Sequence, residues 1–195
     1  MTYAPGPPIV PEPVRAAEAR AAEAGFTLSC ERGVGAFLAA LTASVPPGGR
    51  ILEIGTGVGV GTAWIVHGLG ARGDVKVISV EIDPATAAIA GRWGWPDYVT
   101  IRQANVLDIV NDRGAFDLIF ADAQGGKWEG LDRTIAAVRP GGMLLVDDMT
   151  PLDDWPASWR IRQEEVRRTL LEHQALIAAE LPAASGMILA VRRHT

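Results

Sequence analysis

Cysteine is almost missing from this chain: Cys30 stands alone among 195 residues. Without a partner it cannot close an internal disulfide, and a thiolate zinc cluster is excluded with it. Positive charge is scarce too. Lys and Arg number 18 against 23 Asp and Glu, a formal net charge of -5, and Arg192-Arg193-His194 is the nearest approach to a basic block. A broad nucleic-acid footprint needs many basic contacts to phosphate and is not expected, though a small basic pocket is compatible with this composition. No apolar run approaches the ~18 residues of a membrane span. The Pro-rich start, Met1 to Pro13, has no basic stretch followed by an apolar one, so the expectation is no signal peptide and a cytoplasmic location.

What remains is the balance of a globular protein, 48% hydrophobic and 21% charged. The chain 1–195 reads as one domain, long enough to bury a sizeable core. Residues 1–13 read as an extended arm and 14–47 as N-terminal helices. Val14–Ala24 is Ala-rich with Glu and Arg, and Gly25 is a natural stop. Ser29–Leu41 follows, with Ser29 as cap and Val34, Phe37, Leu38 and Leu41 at helical spacing. Pro46-Pro47-Gly48-Gly49 then breaks the chain.

From 50 to 193, short apolar segments alternate with helical ones. Strands are expected at Ile51–Ile54, Val75–Val80, Tyr98–Arg102, Phe116–Phe120, Met143–Val146, Ala175–Glu180 and Met187–Val191. Helices are expected at Gly61–Leu69, Ala85–Arg92, Leu131–Val138 and Arg160–Glu172. That alternation implies an α/β fold with a mostly parallel sheet covered on both faces. Only Leu181–Gly186 separates the final pair of strands, so they form a hairpin and the last strand runs antiparallel at or near an edge.

The most informative stretch is Ile51-Leu52-Glu53-Ile54-Gly55-Thr56-Gly57-Val58-Gly59: a strand, a glycine turn, then a helix from about Gly61. Glycine there permits positive φ and close approach of a ligand, and exposed amides at the helix start favour a carboxylate or phosphate. The dinucleotide fingerprint G-x-G-x-x-G would need glycine where Val60 stands, and Glu53 beside the turn would oppose a pyrophosphate; both disfavour a nicotinamide dehydrogenase. Gly68-Leu69-Gly70-Ala71-Arg72-Gly73 fits that fingerprint but follows a helix, so it reads as a helix stop. Glu81, about 20 residues past the glycines at the second strand's end, is placed to accept bonds from both hydroxyls of a ribose. Asp83-Pro84 opens the next helix as cap and first-turn proline. Asn105 either bonds an adenine edge, with Ile82 and Val106 against the ring, or caps a turn.

Together these residues resemble the class I S-adenosylmethionine-dependent methyltransferases. Phe116-Asp117-Leu118-Ile119-Phe120-Ala121-Asp122-Ala123, Arg139-Pro140-Gly141-Gly142-Met143-Leu144-Leu145-Val146-Asp147-Asp148 and the helix Glu31–Leu41 resemble the cation-dependent branch, related to catechol and caffeoyl-CoA O-methyltransferases. The resemblance implies a Rossmann-like seven-stranded sheet of order 3-2-1-4-5-7-6 and methyl transfer to a hydroxyl of a small, aromatic acceptor. It implies a cofactor site of Glu53, Gly55, Thr56, Gly57, Gly59, Thr62, Glu81, Ile82, Asn105, Val106 and Asp122, with Glu53 organising the loop and the amino-acid end. It implies Asp122, Asp147 and Asp148 as ligands of Mg2+ or another divalent cation, a hard ion suited to oxygen ligands that lowers a hydroxyl's pKa. It also implies a homodimer.

Two departures matter. Where the family has Asp-Asn, this chain has Asp147-Asp148, and Asp148 binding substrate or capping a turn is the alternative. The family's Lys, three residues after the first Asp, is replaced by Gly125; Lys127 serves beside Asp122 as a catalytic group only if Gln124-Gly125-Gly126 bends suitably, and is otherwise a solvated lysine at a helix start. Trp93, Trp95, Trp155 and Trp159 are candidates for an acceptor pocket or for packing, while His67, His173 and His194 read as packed or surface residues. The rivals are a metal-independent O- or N-methyltransferase, a non-catalytic cofactor-binding module and an RNA-modifying relative, the last disfavoured by acidity.

Overall fold

The computed structural model describes residues 9–111 and 114–194. Most of the expected arm, residues 1–8, lies outside the described residues. Helix α1 (Glu12–Glu23) begins earlier than expected, because Pro13 fits a first turn, where no N–H is needed. Its Val14, Ala17 and Ala21 are buried at helical spacing. Helix α2 (Arg32–Ala43) begins later than expected: Glu31, not Ser29, is its N-cap residue. Gly35 lets α2 lie against the next helix, since a Cβ there would collide with the Trp64 ring.

The alternating region forms β1 (Arg50–Ile54), α3 (Val60–Leu69), β2 (Lys76–Glu81), α4 (Pro84–Ala90), β3 (Val99–Gln103) and β4 (Phe116–Ala121). It continues with α5 (Leu131–Ala137), β5 (Val138–Val146), α6 (Ala157–Glu172), β6 (Leu176–Leu181) and β7 (Met187–Arg192). The sheet order is β3-β2-β1-β4-β5-β7-β6, as the resemblance implied. The pairs β2–β3, β1–β2, β1–β4 and β4–β5 are parallel, while β7 runs antiparallel to β5 and β6. The hairpin reading therefore holds, with β7 one strand in from the edge.

Strand β5 is longer than expected. It absorbs Arg139-Pro140-Gly141-Gly142, and its pairing with β4 shifts register between Phe116 and Leu118. The Arg139 guanidinium reaches the buried Asp117 at 2.7 Å, which also accepts from the Arg50 amide at 2.7 Å. Strand β4 is buried on both faces. Around one face Val14, Val34, Leu38, Trp64 and Phe120 pack together; around the other Ile54, Ile119, Leu131, Ile135, Val166 and Leu170 do. Among the described residues no helix is long and apolar enough to cross a membrane. The consequence for function is that β1, β2, β4 and β5 all end on one side, at the reversal of strand order between β1 and β4, where open α/β sheets bind ligands.

Candidate functional site

The glycine turn leaves β1 with Gly55 at φ 97° and enters α3 through Gly59 at φ 99°. Both need glycine twice over: a Cβ on Gly55 would meet the Asp122 carbonyl at 2.5 Å, and one on Gly59 would meet Trp95 at 2.7 Å. The loop's amides differ from the sequence expectation. Gly55 and Thr56 donate to the Val80 carbonyl at 2.9 and 3.1 Å, and Gly59 donates to the Thr56 carbonyl at 2.9 Å. Gly57 donates to Glu81 Oε2 at 3.0 Å. The amides of Gly55, Thr56, Gly57 and Gly59 are thus bonded inside the chain, while those of Val60 and Gly61 at the start of α3 have no such bond among the described residues.

Glu53 lies fully buried beneath this loop. Its Oε2 accepts from Thr62 Oγ1 and Ser79 Oγ, each at 2.5 Å, and Ser79 Oγ is 2.6 Å from Thr56 Oγ1. Burial outweighs these bonds and pushes the carboxyl up to about 7. Its Oε1, packed against Gly61, has no partner among the described residues. Glu53 and Thr62 thus hold the loop from below, whereas Gly55, Thr56 and Asp122 line a cleft above it.

A neighbouring cleft gathers Glu81, Ile82, Asn105 and Val106 around Gly55. Glu81 Oε1 accepts from the Asp83 amide at 3.0 Å, so each of its oxygens already carries a backbone bond. Asp83 itself caps α4 by accepting from the Thr86 amide at 2.7 Å. Asn105 Oδ1 accepts from the Leu107 amide at 2.9 Å and caps a 3-10 turn, Val106–Asp108, absent from the sequence expectation. Its turn-capping role is met by that oxygen, and the amide nitrogen stays available. Ile82 is 65% exposed, an apolar side chain left beside the cleft.

The ends of β4 and β5 bring Asp122, Asp147 and Asp148 together, one oxygen of each within 4.8 Å of the others. Asp147 Oδ1 accepts from the Asp148 amide at 2.7 Å and from Ser185 Oγ at 2.5 Å. Burial still raises the Asp147 carboxyl to about 6. Burial and then the charges of Asp147 and Asp148 push Asp122 well above the usual carboxylate range. Asp148 turns the chain at φ 58°, a left-handed conformation short polar residues tolerate.

Lys127 corrects the solvated alternative. Trp128 N donates to the Gln124 carbonyl at 2.7 Å and Gly126 N to that of Glu129 at 2.8 Å, so the loop curls back on itself. Lys127 is left 3% exposed, its Nζ donating to the Asp147 carbonyl at 3.1 Å and lying 3.5 Å from Asp148 Oδ2. The bend that the sequence left conditional is present.

Beside this cluster opens a cavity of about 480 Å³, walled by Trp128, Trp155 and Trp159 and floored by the three carboxylates and Lys127. The indoles meet edge to face, with centroids 5.3–6.4 Å apart. Trp128 was not singled out from the sequence; its place next to Lys127, just past the β4 acid, is the signal that could have found it. Nor was Gln163, whose buried amide accepts from Trp128 Nε1 at 2.7 Å and donates to the Asp148 carbonyl. Trp93 and Trp95 are elsewhere: Arg20 stacks on Trp93 at 4.2 Å, and Trp95 packs beneath Gly59 and donates to the Ala90 carbonyl at 2.8 Å. His67 is exposed, edge-on to Trp64; His194 lies against Gly141, and His173 accepts from the Ala175 amide at 3.2 Å, so none reaches the cavity.

Residues 52–149 match a family described as a methyltransferase domain. A catechol O-methyltransferase from Niastella koreensis is 33% identical over 139 residues, 66% of this chain, and the match spans 62% of that protein's length. A catechol O-methyltransferase from Mycobacterium tuberculosis is 32% identical over 122 residues, 59% of this chain and 54% of that protein. In structure the chain is similar to the O-methyltransferase from Bacillus cereus solved in complex with SAH, with a TM-score of 0.78 and 23% identity, over 95% of this chain and 92% of that one.

Proposed function

The chain belongs to the methyltransferase-domain family, and from that footing we propose that it moves a methyl group from S-adenosylmethionine to a hydroxyl of a small aromatic acceptor. One observation carries the reading: the buried Lys127 and the three carboxylates stand where the cleft above the glycine turn, lined by Asp122, meets the tryptophan-walled cavity. S-adenosylmethionine supplies an electrophilic methyl on a sulfonium, so the protein has mainly to position and deprotonate.

Each group then has a task. Glu81 accepts from the ribose hydroxyls, Ile82 and Val106 cover the adenine, and Asn105 offers it an amide N–H. Asp122, at the junction, faces the cationic end of the cofactor. The indoles of Trp128, Trp155 and Trp159 orient the acceptor ring, restricting the attacking oxygen to the in-line approach that transfer requires. Lys127 Nζ, the cation of the cluster, steadies the acceptor oxygen as its hydroxyl proton passes to a carboxylate of the cluster.

The donor set fits a divalent cation: oxygen-only, three carboxylates, gathered so closely that the charges of Asp147 and Asp148 help raise the pKa of Asp122. Asp122, Asp147 and Asp148 would hold it, and bound there it supplies a Lewis acid for an acceptor oxygen. The metal-independent reading rests on a specific contact: Lys127, 3.5 Å from Asp148, already brings one positive charge to the cluster.

The test is turnover. Protein, S-adenosylmethionine and a panel of catechols and simple phenols are incubated and methylated product is measured by mass spectrometry, with and without EDTA. Product from catechols that EDTA abolishes supports the reading. Equal product in EDTA promotes the metal-independent one, and no product despite cofactor binding leaves a binding module. We further propose a cytoplasmic homodimer; light scattering giving the mass of one chain would refute the pairing.

A further inference from the structure

The hairpin that joins β6 to β7 reaches the acidic cluster, and it is seated there without help from the side chain that does the reaching. The Gly186 amide donates to the Ala183 carbonyl at 2.9 Å and closes the turn. The amides of Met149 and Thr150 donate to the carbonyls of Gly186 and Ser185, each at 2.9 Å, and strap the turn to the segment after β5. On its other side the hairpin lies against α2, where a Cβ on Gly33 would meet the Ala184 Cβ at 3.2 Å. Ala184 takes φ 55°, a left-handed conformation that costs energy for a residue with a Cβ and persists because the surroundings fix it.

The Ser185 hydroxyl is left free of these duties. It donates to Asp147 Oδ1 at 2.5 Å, across 38 residues of chain. The Asp148 amide donates to the same oxygen at 2.7 Å. An ionised carboxylate only accepts, with two lone pairs on each oxygen, so these two donors fill Oδ1. Oδ2 carries no hydrogen bond among the described residues. The last torsion of an aspartate is broad and nearly two-fold, so an untethered carboxylate does not settle which oxygen it presents. At 2% exposure Asp147 takes its donors from the protein rather than from bulk water. Hydrogen bonds behind a ligating carboxylate orient it and tune its grip on a metal.

We infer that Ser185 is a positioning residue whose hydroxyl holds Asp147 Oδ1 so that Oδ2 is presented to a divalent cation. This rests on the cation reading above and deepens it, because metal affinity then depends on the β6–β7 hairpin as well as on the three carboxylates.

Manganese titrated into the cofactor-free protein, with the free ion read by electron paramagnetic resonance, tests it. Ser185→Ala should bind manganese about tenfold more weakly, the lower end of what a bond behind a metal ligand is worth. Ser185→Thr keeps the hydroxyl and should restore most of the loss. Affinity for S-adenosylhomocysteine, measured by calorimetry, should be the same in all three proteins. Unchanged manganese affinity in Ser185→Ala overturns the inference. So does a Ser185→Thr variant as weak as Ser185→Ala, and so does equal weakening of manganese and S-adenosylhomocysteine, which would make Ser185 structural. If the parent protein binds no manganese, the cation reading falls and the inference with it, a result separable from the others because it needs no variant.

Discussion

The turn between β1 and α3 and the cluster at the ends of β4 and β5 lie on one side of the same sheet, yet they are built by opposite means. Around the turn, several polar groups are answered inside the chain: the amides of Gly55, Thr56 and Gly57 by Val80 and Glu81, the hydroxyls of Thr62 and Ser79 by Glu53. At the cluster, like charges are pressed together, with Asp122 and Asp147 both held above their ordinary carboxylate range. A satisfied network is rigid and keeps its shape without a ligand. A cluster of like charges holds electrostatic repulsion that a cation or an ammonium relieves. The first half is therefore suited to holding a cofactor, the second to changing a substrate.

That contrast is broken most severely at the cluster. Asp147→Ala should lower kcat on the order of a thousandfold, the several kcal/mol that a held cation contributes, while calorimetry finds cofactor affinity within about threefold. EDTA should reproduce the loss, and magnesium or manganese should reverse it. A variant that loses cofactor affinity as steeply as turnover would mean that the two halves are one site.

The same contrast has a pH signature at Glu53, the buried acid of the satisfied half. Its carboxyl titrates near 7 in the fold against an ordinary value of 4.5. The folded protein thus holds a proton that the unfolded chain releases. The stability this contributes is full below about 4.5 and is lost as pH rises through about 7, about 3 kcal/mol in all. Urea unfolding at pH 5 and pH 8 should show the parent losing that much more than Glu53→Gln. Parallel losses in the two proteins would mean that Glu53 is not desolvated. A smaller effect is expected at Glu81, whose oxygens would bond ribose: Glu81→Ala should weaken S-adenosylhomocysteine by roughly 30-fold, about 2 kcal/mol, with no change in acceptor KM at saturating cofactor.

The two halves also differed in how far they could be read from sequence. The turn and Glu81 follow from residues close along the chain, where spacing fixes what faces what, whereas the strand order was implied by the family resemblance. The acid positions could be assigned because parallel strands end together. Lys127 could not, since its burial depends on the curl of Gln124–Glu129, whose backbone bonds spacing does not encode. Trp128 and Gln163 were missed for a related reason. They meet across 35 residues, and a glutamine in a polar helix gives no sign that it faces inward. Ser29 was misread as a cap because it lies only a few residues ahead of the actual helix start.

Gln163 is also where the smallest effect is expected and where the comparison is sharpest. Its Oε1 accepts from Trp128 Nε1 in the cavity wall and its Nε2 donates to the Asp148 carbonyl at the cluster. It is fully buried, and its hydrogen bonds among the described residues go to Trp128, Asp148 and Met149 rather than to the glycine turn. Gln163→Leu keeps most of the volume but orphans an indole N–H and a carbonyl, so the wall and the cluster lose their common tie. Acceptor KM should rise about tenfold, the worth of one or two bonds of this kind, with cofactor affinity unchanged. Trp128→Phe removes one of the same bonds from the other side. If Gln163 acts by holding Trp128, the double variant should be clearly less impaired in kcat/KM than the two single losses added together. Additive losses would mean that Gln163 and Trp128 act separately, and a fall in cofactor affinity would mean that α6 supports both halves of the site rather than the acceptor half alone.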